Sequence, residues 1–154
     1  MTTSKPLPSV SPSVCYRDPK AALKWLEQAF GFEPRMVIVN DSGDLMHSEM
    51  RFGDGVVMIG SEWSPQHKSP ANVNGFNTQT VHVQMKDDVD AHCERARKAG
   101  AKIVREPETQ FYGDRTYRAA DPEGHIWSFG QTVKPMTPEQ WDAAVPGIKT
   151  RTRL

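Results

Sequence analysis

The sequence has no net charge, few cysteines and no long apolar run, and each of these features excludes a class of protein. Its 19 Lys and Arg side chains balance 19 Asp and Glu side chains, which removes the bulk attraction of a basic protein to nucleic acids and anionic membranes. Its two cysteines, Cys15 and Cys93, fit a reducing compartment better than a disulfide scaffold. No apolar run approaches the roughly 18 residues that span a bilayer, and the opening residues lack a signal-like apolar core. We therefore expect a cytoplasmic protein with no nucleic-acid or membrane partner.

Several catalytic motifs are also missing. The sequence contains no Gly-Lys-Ser/Thr phosphate loop, no Gly-x-Gly-x-x-Gly after a predicted strand and no Gly-x-Ser-x-Gly nucleophile elbow. These absences argue against a nucleotide-dependent enzyme and against a serine hydrolase. Neither cysteine has a histidine partner set by the sequence, so Cys15 is interpreted as a small buried side chain and not as an activated thiolate.

One pattern of three landmarks occurs twice along the chain. The landmarks are an Asp that opens a helical pattern, a Gly that closes it and a later Gly that precedes an apolar strand. They are Asp18, Gly31 and Gly55 in the first copy and Asp88, Gly100 and Gly124 in the second. The offsets of 70, 69 and 69 residues are typical of a repeated supersecondary module.

Each copy is predicted to contain a strand, a helix and three further strands. In the first copy, alternation around Val14 and Tyr16 indicates a strand, and Asp18 with Pro19 begins a helix of three-and-four apolar spacing. Strands at about 34–39, 45–52 and 56–61 follow. The second copy repeats this order from residue 80, with strands near 102–105, 115–120 and 125–130 after its helix.

These patterns divide the chain into five parts. They are a flexible N-terminal arm (1–12), a first module (13–61), a linker (62–77), a second module (78–131) and a C-terminal extension (132–154). The arm is rich in Ser, Thr and Pro and has little to bury. The extension should hold a short helix, because Thr137-Pro138-Glu139-Gln140 is a capping box with proline in the first turn.

Two segments resemble signatures of the vicinal oxygen chelate superfamily, which includes glyoxalase I, bleomycin-resistance proteins and extradiol dioxygenases. Asp121-Pro122-Glu123-Gly124-His125-Ile126-Trp127, after Tyr112-Gly113-Asp114-Arg115, is similar to the family's closing segment, and Ala29-Phe30-Gly31-Phe32-Glu33 is similar to its first-module signature. The resemblance covers residues 13–131. It implies an α+β fold in which two βαβββ modules pair into a curved mixed sheet around a concave cavity, and it implies a homodimer.

The resemblance also implies positions for a metal ion. In the family's metalloenzymes the first and last strands of each module each supply one ligand. Carried over to this chain, these positions fall on Ser11 or Ser13, Met58 or Ile59, Thr80 or Val81, and Ser128. Hydroxyl and thioether groups offset the lost hydration of a divalent ion poorly. We therefore expect no metal cofactor at the family's usual site.

His82 is the strongest candidate for chemistry, and its role depends on strand register. If Val81, Val83 and Met85 face the helix, then Thr80 and His82 face the cavity. His82 would then bind the ligand, act as a base, or join His47 and Glu49 in an unusual metal site. The simpler interpretation is that His82 is a hydrogen-bonded wall of the cavity and that the other two are half-exposed strand residues.

Other side chains are candidates for lining the cavity. Tyr112 offers an aromatic wall with a polar tip, and Arg115 offers a fork of donors for a carboxylate or phosphate. Arg115 could instead pair with Asp114 or Asp121. Trp63 could cap the cavity or cover a dimer contact.

Two functions from different classes fit these observations. The first is a metal-free module that binds a small apolar or aromatic molecule in the cup between the two modules, as antibiotic-sequestering members of the family do. The second is a lyase, isomerase or dioxygenase-like enzyme that uses a displaced metal or His82 as a base. The absence of the four family ligands favours the first.

Overall fold

The computed structural model describes residues 5–154. Within this range the chain forms eight strands, three α-helices and a 3-10 turn at Pro70–Asn72. The strands are β1 (Ser13–Tyr16), β2 (Glu33–Val39), β3 (Leu45–Phe52), β4 (Gly55–Ser61), β5 (Val81–Met85), β6 (Lys102–Thr109), β7 (Asp114–Ala120) and β8 (Ile126–Thr132). The helices are α1 (Pro19–Phe30), α2 (Val89–Lys98) and α3 (Pro138–Ala144).

Both module helices begin where their capping residues predict. The Asp18 carboxylate accepts a hydrogen bond from the backbone N–H of Ala21, and Asp88 accepts bonds from two backbone N–H groups at the start of α2. Gly31 ends α1 in the left-handed region with φ 75°, where glycine avoids the steric cost of a side chain. The predicted helix starts are therefore confirmed, and the capping box of α3 is present as well.

The two modules repeat one sheet topology. Their strand orders are β1-β4-β3-β2 and β5-β8-β7-β6, and in each sheet the first strand pairs in parallel with the last. Val14 lies opposite Ile59 in the first sheet, and Val83 lies opposite Phe129 in the second. The predicted α+β class, with two βαβββ modules and a short C-terminal helix, is confirmed. In the described chain the two sheets are separate four-stranded sheets.

One apolar core joins the two modules. The rings of Phe30 at the end of α1 and Phe129 on β8 lie 4.7 Å apart, and the rings of Phe32 and Trp127 lie 5.3 Å apart. The Trp25 indole N–H donates to the backbone carbonyl of Ala99 across the same boundary. Because each sheet packs one face on this core, we call the opposite face of each sheet its open face.

The Asp121-to-Gly124 turn connects the modules through buried polar bonds. One carboxylate oxygen of Asp121 accepts hydrogen bonds from the Tyr16 hydroxyl at 2.6 Å and from the Trp127 indole N–H at 3.1 Å. The other oxygen accepts from the backbone N–H groups of Glu123 and His125, each at 3.0 Å. Asp121 is only 5% exposed, so four donors satisfy a carboxylate that water scarcely reaches.

Glu123 makes a second connection beside the first. Burial alone would raise the pKa of its carboxyl group, but hydrogen bonds from the Ser69 hydroxyl and from the backbone N–H groups of Arg17 and Asp18 outweigh burial and lower the pKa. The carboxylate thus joins the first module, the linker and the second module at one point.

A neutral histidine is buried at the contact between the helices. The Nε2 atom of His92 lies 2.7 Å from the backbone carbonyl oxygen of Phe30, and its Nδ1 atom lies 2.6 Å from the Tyr117 hydroxyl. This pattern assigns the ring proton to Nε2 and makes Nδ1 the acceptor. Burial lowers the pKa of His92 and outweighs the bond to Phe30.

The lowered pKa predicts a specific loss of stability in acid. Below about pH 6.5 the imidazole takes up a proton in the unfolded chain before it does so in the folded chain, so the unfolding free energy should fall as the pH drops from 7 to 5. His92→Gln keeps one donor and one acceptor but does not titrate. Urea denaturation should therefore give a shallower pH dependence for this variant, and an unchanged dependence would contradict the assignment.

Some expected boundaries differ from the observed ones. The strand predicted near 102–105 extends to Thr109, with register shifts around Arg105 and Glu108. Pro107 is tolerated there because β6 is an edge strand.

The expected flexible arm is described only in part, because residues 1–4 lie outside the described residues. Residues 5–12 return toward the first sheet: Arg35 donates to the Lys5 carbonyl, and the Met58 N–H donates to the Pro12 carbonyl. No helix of residues 5–154 has the length and apolarity needed to cross a bilayer.

Candidate functional site

Four polar side chains form a row across the open face of the second sheet. His82 on β5 lies opposite Ser128 on β8, Ser128 lies opposite Arg118 on β7, and Arg118 lies opposite Arg105 on β6. The neighbours of these residues along the strands, such as Val83 and Phe129, are buried in the core. Because side chains alternate along a strand, the row points away from the core, and the register proposed for His82 is the observed one.

A cavity of about 320 Å³ lies above this row, and this volume falls within the range of small-molecule sites. The cavity above the row is lined by Thr80, His82, Arg105, Gln110, Tyr112, Thr116, Arg118 and Ser128. No carboxylate is among these lining residues. The cavity therefore combines two guanidinium groups, one imidazole, several neutral hydrogen-bonding groups and one aromatic wall.

His82 is held at both ring nitrogens. Its Nδ1 atom lies 3.1 Å from the Ser128 hydroxyl, and its Nε2 atom lies 2.9 Å from the Gln84 side-chain oxygen. The Gln84 amide nitrogen in turn donates to Asp114 at 3.1 Å. This chain of bonds makes Nε2 the protonated nitrogen and leaves Nδ1 as the acceptor of the Ser128 hydroxyl proton.

Gly130 makes room for this imidazole. A Cβ atom at Gly130 would lie 3.0 Å from the His82 ring and 3.2 Å from the Gln84 side-chain oxygen. A side chain at this position would therefore push the imidazole away from β8 by a few tenths of an ångström. The position of His82 is thus set by packing as well as by hydrogen bonds.

The predicted cavity residues divide into two groups. Thr80, His82, Tyr112 and Ser128 all line the cavity of the second sheet. Arg115 lies on the opposite face of β7 and donates to the Asp90 carboxylate at the start of α2. These hydrogen bonds lower the pKa of Asp90.

Trp63 lies away from the cavity, in the segment between the modules. Its ring stacks on that of His67, with centroids 3.8 Å apart, and the residue is 69% exposed. The described structure therefore gives this side chain no contact with the second-sheet cavity.

His47 and Glu49 form a separate polar group on the open face of the first sheet. The His47 Nε2 atom lies 2.9 Å from one carboxylate oxygen of Glu49, and the Arg35 guanidinium donates to the other. Glu49 is only 4% exposed. Within residues 5–154 no three His, Cys, Asp or Glu side chains are placed to hold a metal ion, so His82 does not join this pair.

A different cavity, of about 400 Å³, lies between β1 and residues 65–79. Two of its reactive groups are already bound to backbone: the Cys15 thiol donates to the Ser61 carbonyl, and the His125 Nε2 atom lies 2.6 Å from the Cys15 carbonyl oxygen. Burial raises the pKa of Cys15, which disfavours the thiolate. The row on the second sheet is therefore the better candidate site.

Sequence comparison identifies the family. Residues 10–129 match the sequence profile of the Glyoxalase/Bleomycin resistance protein/Dioxygenase superfamily. The chain belongs to this superfamily. The predicted resemblance is confirmed.

Relatives of this glyoxalase-type chain come from several bacteria. The uncharacterized protein Rv0887c of Mycobacterium tuberculosis is 32% identical over 143 residues, which cover 90% of this chain and 82% of the relative. The crystal structure of TioX from Micromonospora sp. ML1 has 32% sequence identity and a TM-score of 0.65, and the match covers 81% of this chain and 99% of TioX. A glyoxalase/bleomycin resistance protein from Streptomyces sp. CB03234 has the same fold at 20% identity, with a TM-score of 0.60 and coverage of 78% and 96%.

The superfamily positions for a metal can be tested against this chain. Ser13 lies opposite Met58 on the first sheet, and His82 lies opposite Ser128 on the second. The four carried-over positions, at Ser13, Met58, Thr80 and Ser128, offer only hydroxyl or thioether groups. His82 lies two residues beyond Thr80, and both of its ring nitrogens are engaged by neighbouring side chains. A donor set with one engaged imidazole and no carboxylate does not fit a divalent ion.

Sequence reasoning missed the two arginines of the row. Arg118 alternates with the apolar residues Tyr117 and Ala119 on β7, and this alternation was a usable signal that it shares the face of Ser128. Arg105 had no such signal, because the register of β6 shifts on both sides of it.

Proposed function

We propose that the chain binds a small molecule with an aromatic or apolar body on the open face of the second sheet, without a metal ion. The observation that supports this most is the cavity of about 320 Å³ that has Tyr112 on its wall and His82 and Ser128 on its floor. Ligand sites commonly combine an apolar wall with a few fixed polar groups. The donor chemistry at the family's ligand positions favours direct contact with the ligand over coordination through a metal.

Tyr112 supplies the test of the aromatic wall. Tyr112→Ala should weaken the binding of aromatic fragments by about tenfold, because it removes ring contacts that are worth roughly 1 kcal/mol beyond the buried area. The measurement is saturation-transfer NMR with an aromatic fragment library on chelator-treated protein, followed by calorimetry of the fragments that bind.

Trp63→Ala is the matched control, because it removes an exposed aromatic side chain outside this cavity. It should leave fragment affinity unchanged. Equal losses in both variants, or no fragment binding at all, would contradict the proposal. So would stoichiometric Zn, Ni, Mn or Fe in protein purified without chelator or histidine tag, if His82→Ala removed that metal.

A base-assisted reaction is the second candidate, and the bonds of His82 favour it over other catalytic schemes. An imidazole that accepts from Ser128 and is oriented through Gln84 has the arrangement of a general base. His82 could take a proton from Ser128 or from the bound molecule. Fragments that bind would be incubated with the protein in D₂O, and deuterium incorporation or turnover that His82→Gln abolishes would support catalysis over simple binding.

We also propose that two copies of the chain assemble as a homodimer, as the family resemblance implies. Support comes from apolar side chains exposed on the edge strand β2 and on its neighbour β3, namely Val37, Ile38, Val39 and Met46. Such a stretch suits a protein contact. Sedimentation that detects only monomer at micromolar concentration would count against this assembly.

A cytoplasmic location is proposed on the state of the cysteines. Cys15 and Cys93 are both free thiols. Cysteines that form no disulfide are typical of proteins in a reducing compartment.

A further inference from the structure

We propose that the molecule bound by the second sheet carries an oxyanion, such as a carboxylate or phosphate group, and that Arg118 and Arg105 bind it. This inference rests on the proposed function, because it assigns a chemical class to the ligand of the same cavity. It adds a recognition element that the sequence alone did not identify.

The first support is the lack of a counter-charge for Arg118. Several arginines on the strands have carboxylate partners: Arg35 pairs with Glu49, and Arg115 pairs with Asp90. The Arg118 guanidinium has no carboxylate within ion-pair distance and makes no side-chain hydrogen bond among residues 5–154, although it lines the cavity. A guanidinium group offers five donors in a planar fork that matches the geometry of a carboxylate or phosphate.

The second support is the position of Arg105. It lies directly opposite Arg118 on the neighbouring strand, and like charges at such positions repel each other. The contact of Arg105 with Glu108 is long, at 3.5 Å, and exposed to solvent, so this carboxylate does little to neutralise the pair. A bound oxyanion between the two guanidinium groups would turn the repulsion into attraction.

The third support comes from the first sheet, where the corresponding row of side chains includes a carboxylate. Met58 lies opposite both Ser13 and Glu49, just as Ser128 lies opposite both His82 and Arg118. Glu49 therefore occupies the position in the first sheet that Arg118 occupies in the second. The Glu49 carboxylate is buried against the Arg35 guanidinium. The first row thus holds a guanidinium and a carboxylate together, whereas the second row holds two guanidinium groups and no carboxylate.

The remaining lining residues indicate how such a ligand would lie. With its oxyanion between Arg118 and Arg105, the rest of the molecule would extend along the cavity toward Tyr112, with Gln110 available as a hydrogen-bonding partner. The ligand class is therefore an aromatic or apolar acid. The same geometry disfavours a cation, which would meet two arginines.

The experiment compares anionic and neutral probes of the same shape. Benzoate and phenyl phosphate would be titrated against benzamide and benzyl alcohol by calorimetry and by chemical-shift mapping of the full chain. Both anions should bind, and the neutral probes should bind at least about tenfold more weakly, since a charge-assisted hydrogen bond contributes more than a neutral one. Benzoate and phenyl phosphate together distinguish a carboxylate preference from a phosphate preference.

Arg115→Gln is the matched control for Arg118→Gln. Both residues lie on β7, but Arg115 faces away from the cavity and pairs with Asp90. Arg118→Gln should weaken benzoate or phenyl phosphate by about tenfold or more and leave benzamide unaffected, while Arg115→Gln should leave all probes unchanged. Arg118→Lys should restore part of the lost affinity, because it retains the charge without the fork.

The possible failures are distinguishable. If neutral and anionic probes bind equally well, or if Arg118→Gln and Arg115→Gln have the same effect, the anion assignment is wrong and the proposed small-molecule function stands. If none of the probes shifts the resonances of the cavity residues and no aromatic fragment binds, both are wrong.

Discussion

Asp121→Asn is expected to lower the unfolding free energy by about 3 kcal/mol or more, the scale for breaking a buried charged network. All four groups that contact the Asp121 side chain are donors: the Tyr16 hydroxyl, the Trp127 indole N–H and two backbone N–H groups. An asparagine of the same shape would direct an NH₂ group at one pair of these donors. Two donors would then face a third group that also donates, and water would scarcely compensate because Asp121 is only 5% exposed.

Urea denaturation monitored by tryptophan fluorescence measures this effect. Asp44→Asn is the control, because Asp44 is a turn residue that pairs only with Asn40 on the surface. It should change the unfolding free energy by no more than about 0.5 kcal/mol. An Asp121→Asn protein that unfolds at the wild-type urea concentration would show that the network contributes little to holding the modules together.

Gly113→Ala is expected to damage both stability and ligand binding. The residue has φ 92°, and a Cβ atom there would lie 1.9 Å from the backbone carbonyl oxygen of Lys134. The obstacle is backbone, so no side-chain rotation can relieve it. The backbone N–H groups of Val133 and Lys134 both donate to the Gly113 carbonyl, and these bonds hold the start of the C-terminal extension. Displacing the turn would also move the adjacent Tyr112, which lines the cavity.

The first module supplies a matched control. Gly43 lies in the corresponding turn between β2 and β3 with φ 82°, and a Cβ atom there would have no neighbour within 4 Å. Gly43→Ala should therefore show only the strain of an alanine at positive φ, about 1–2 kcal/mol. Gly113→Ala should lose about 1–3 kcal/mol more because of the overlap, and it should weaken aromatic fragments as well. Equal losses in thermal denaturation would contradict the role given to the Lys134 contact.

Local signals in the sequence were enough to predict the modules. Asp18 and Asp88 are good helix caps, Gly31 is a helix stop, and the alternation around His82 determines which face of β5 it occupies. Each of these features acts within a few residues of the chain. The paired landmarks then indicated two copies of one module, and the repeated register of the two sheets agrees with them.

Contacts between distant residues could not be predicted in the same way. Arg115 was expected near the cavity, but its pairing with Asp90 depends on how α2 packs beside β7. The return of residues 5–12 to the first sheet depends on Arg35, which lies far along the chain from Lys5. Arg105 joined the row only through the irregular register of β6. In each case the partner is chosen by tertiary packing, which local periodicity does not describe.

The matching rows of the two sheets have a consequence for how this gene can diversify. In the first half, the Glu49 carboxylate and the Arg35 guanidinium neutralise each other's charge. A mutation of either residue leaves the other charge buried without a partner and destabilises the fold. In the second half, the Arg118 guanidinium has no such partner among residues 5–154. If Arg118 binds the ligand as proposed, we expect substitutions there to change what is recognised at small cost to folding. Selection for new ligands should therefore accumulate substitutions in the later half of the tandem repeat, while the earlier half is conserved as scaffold.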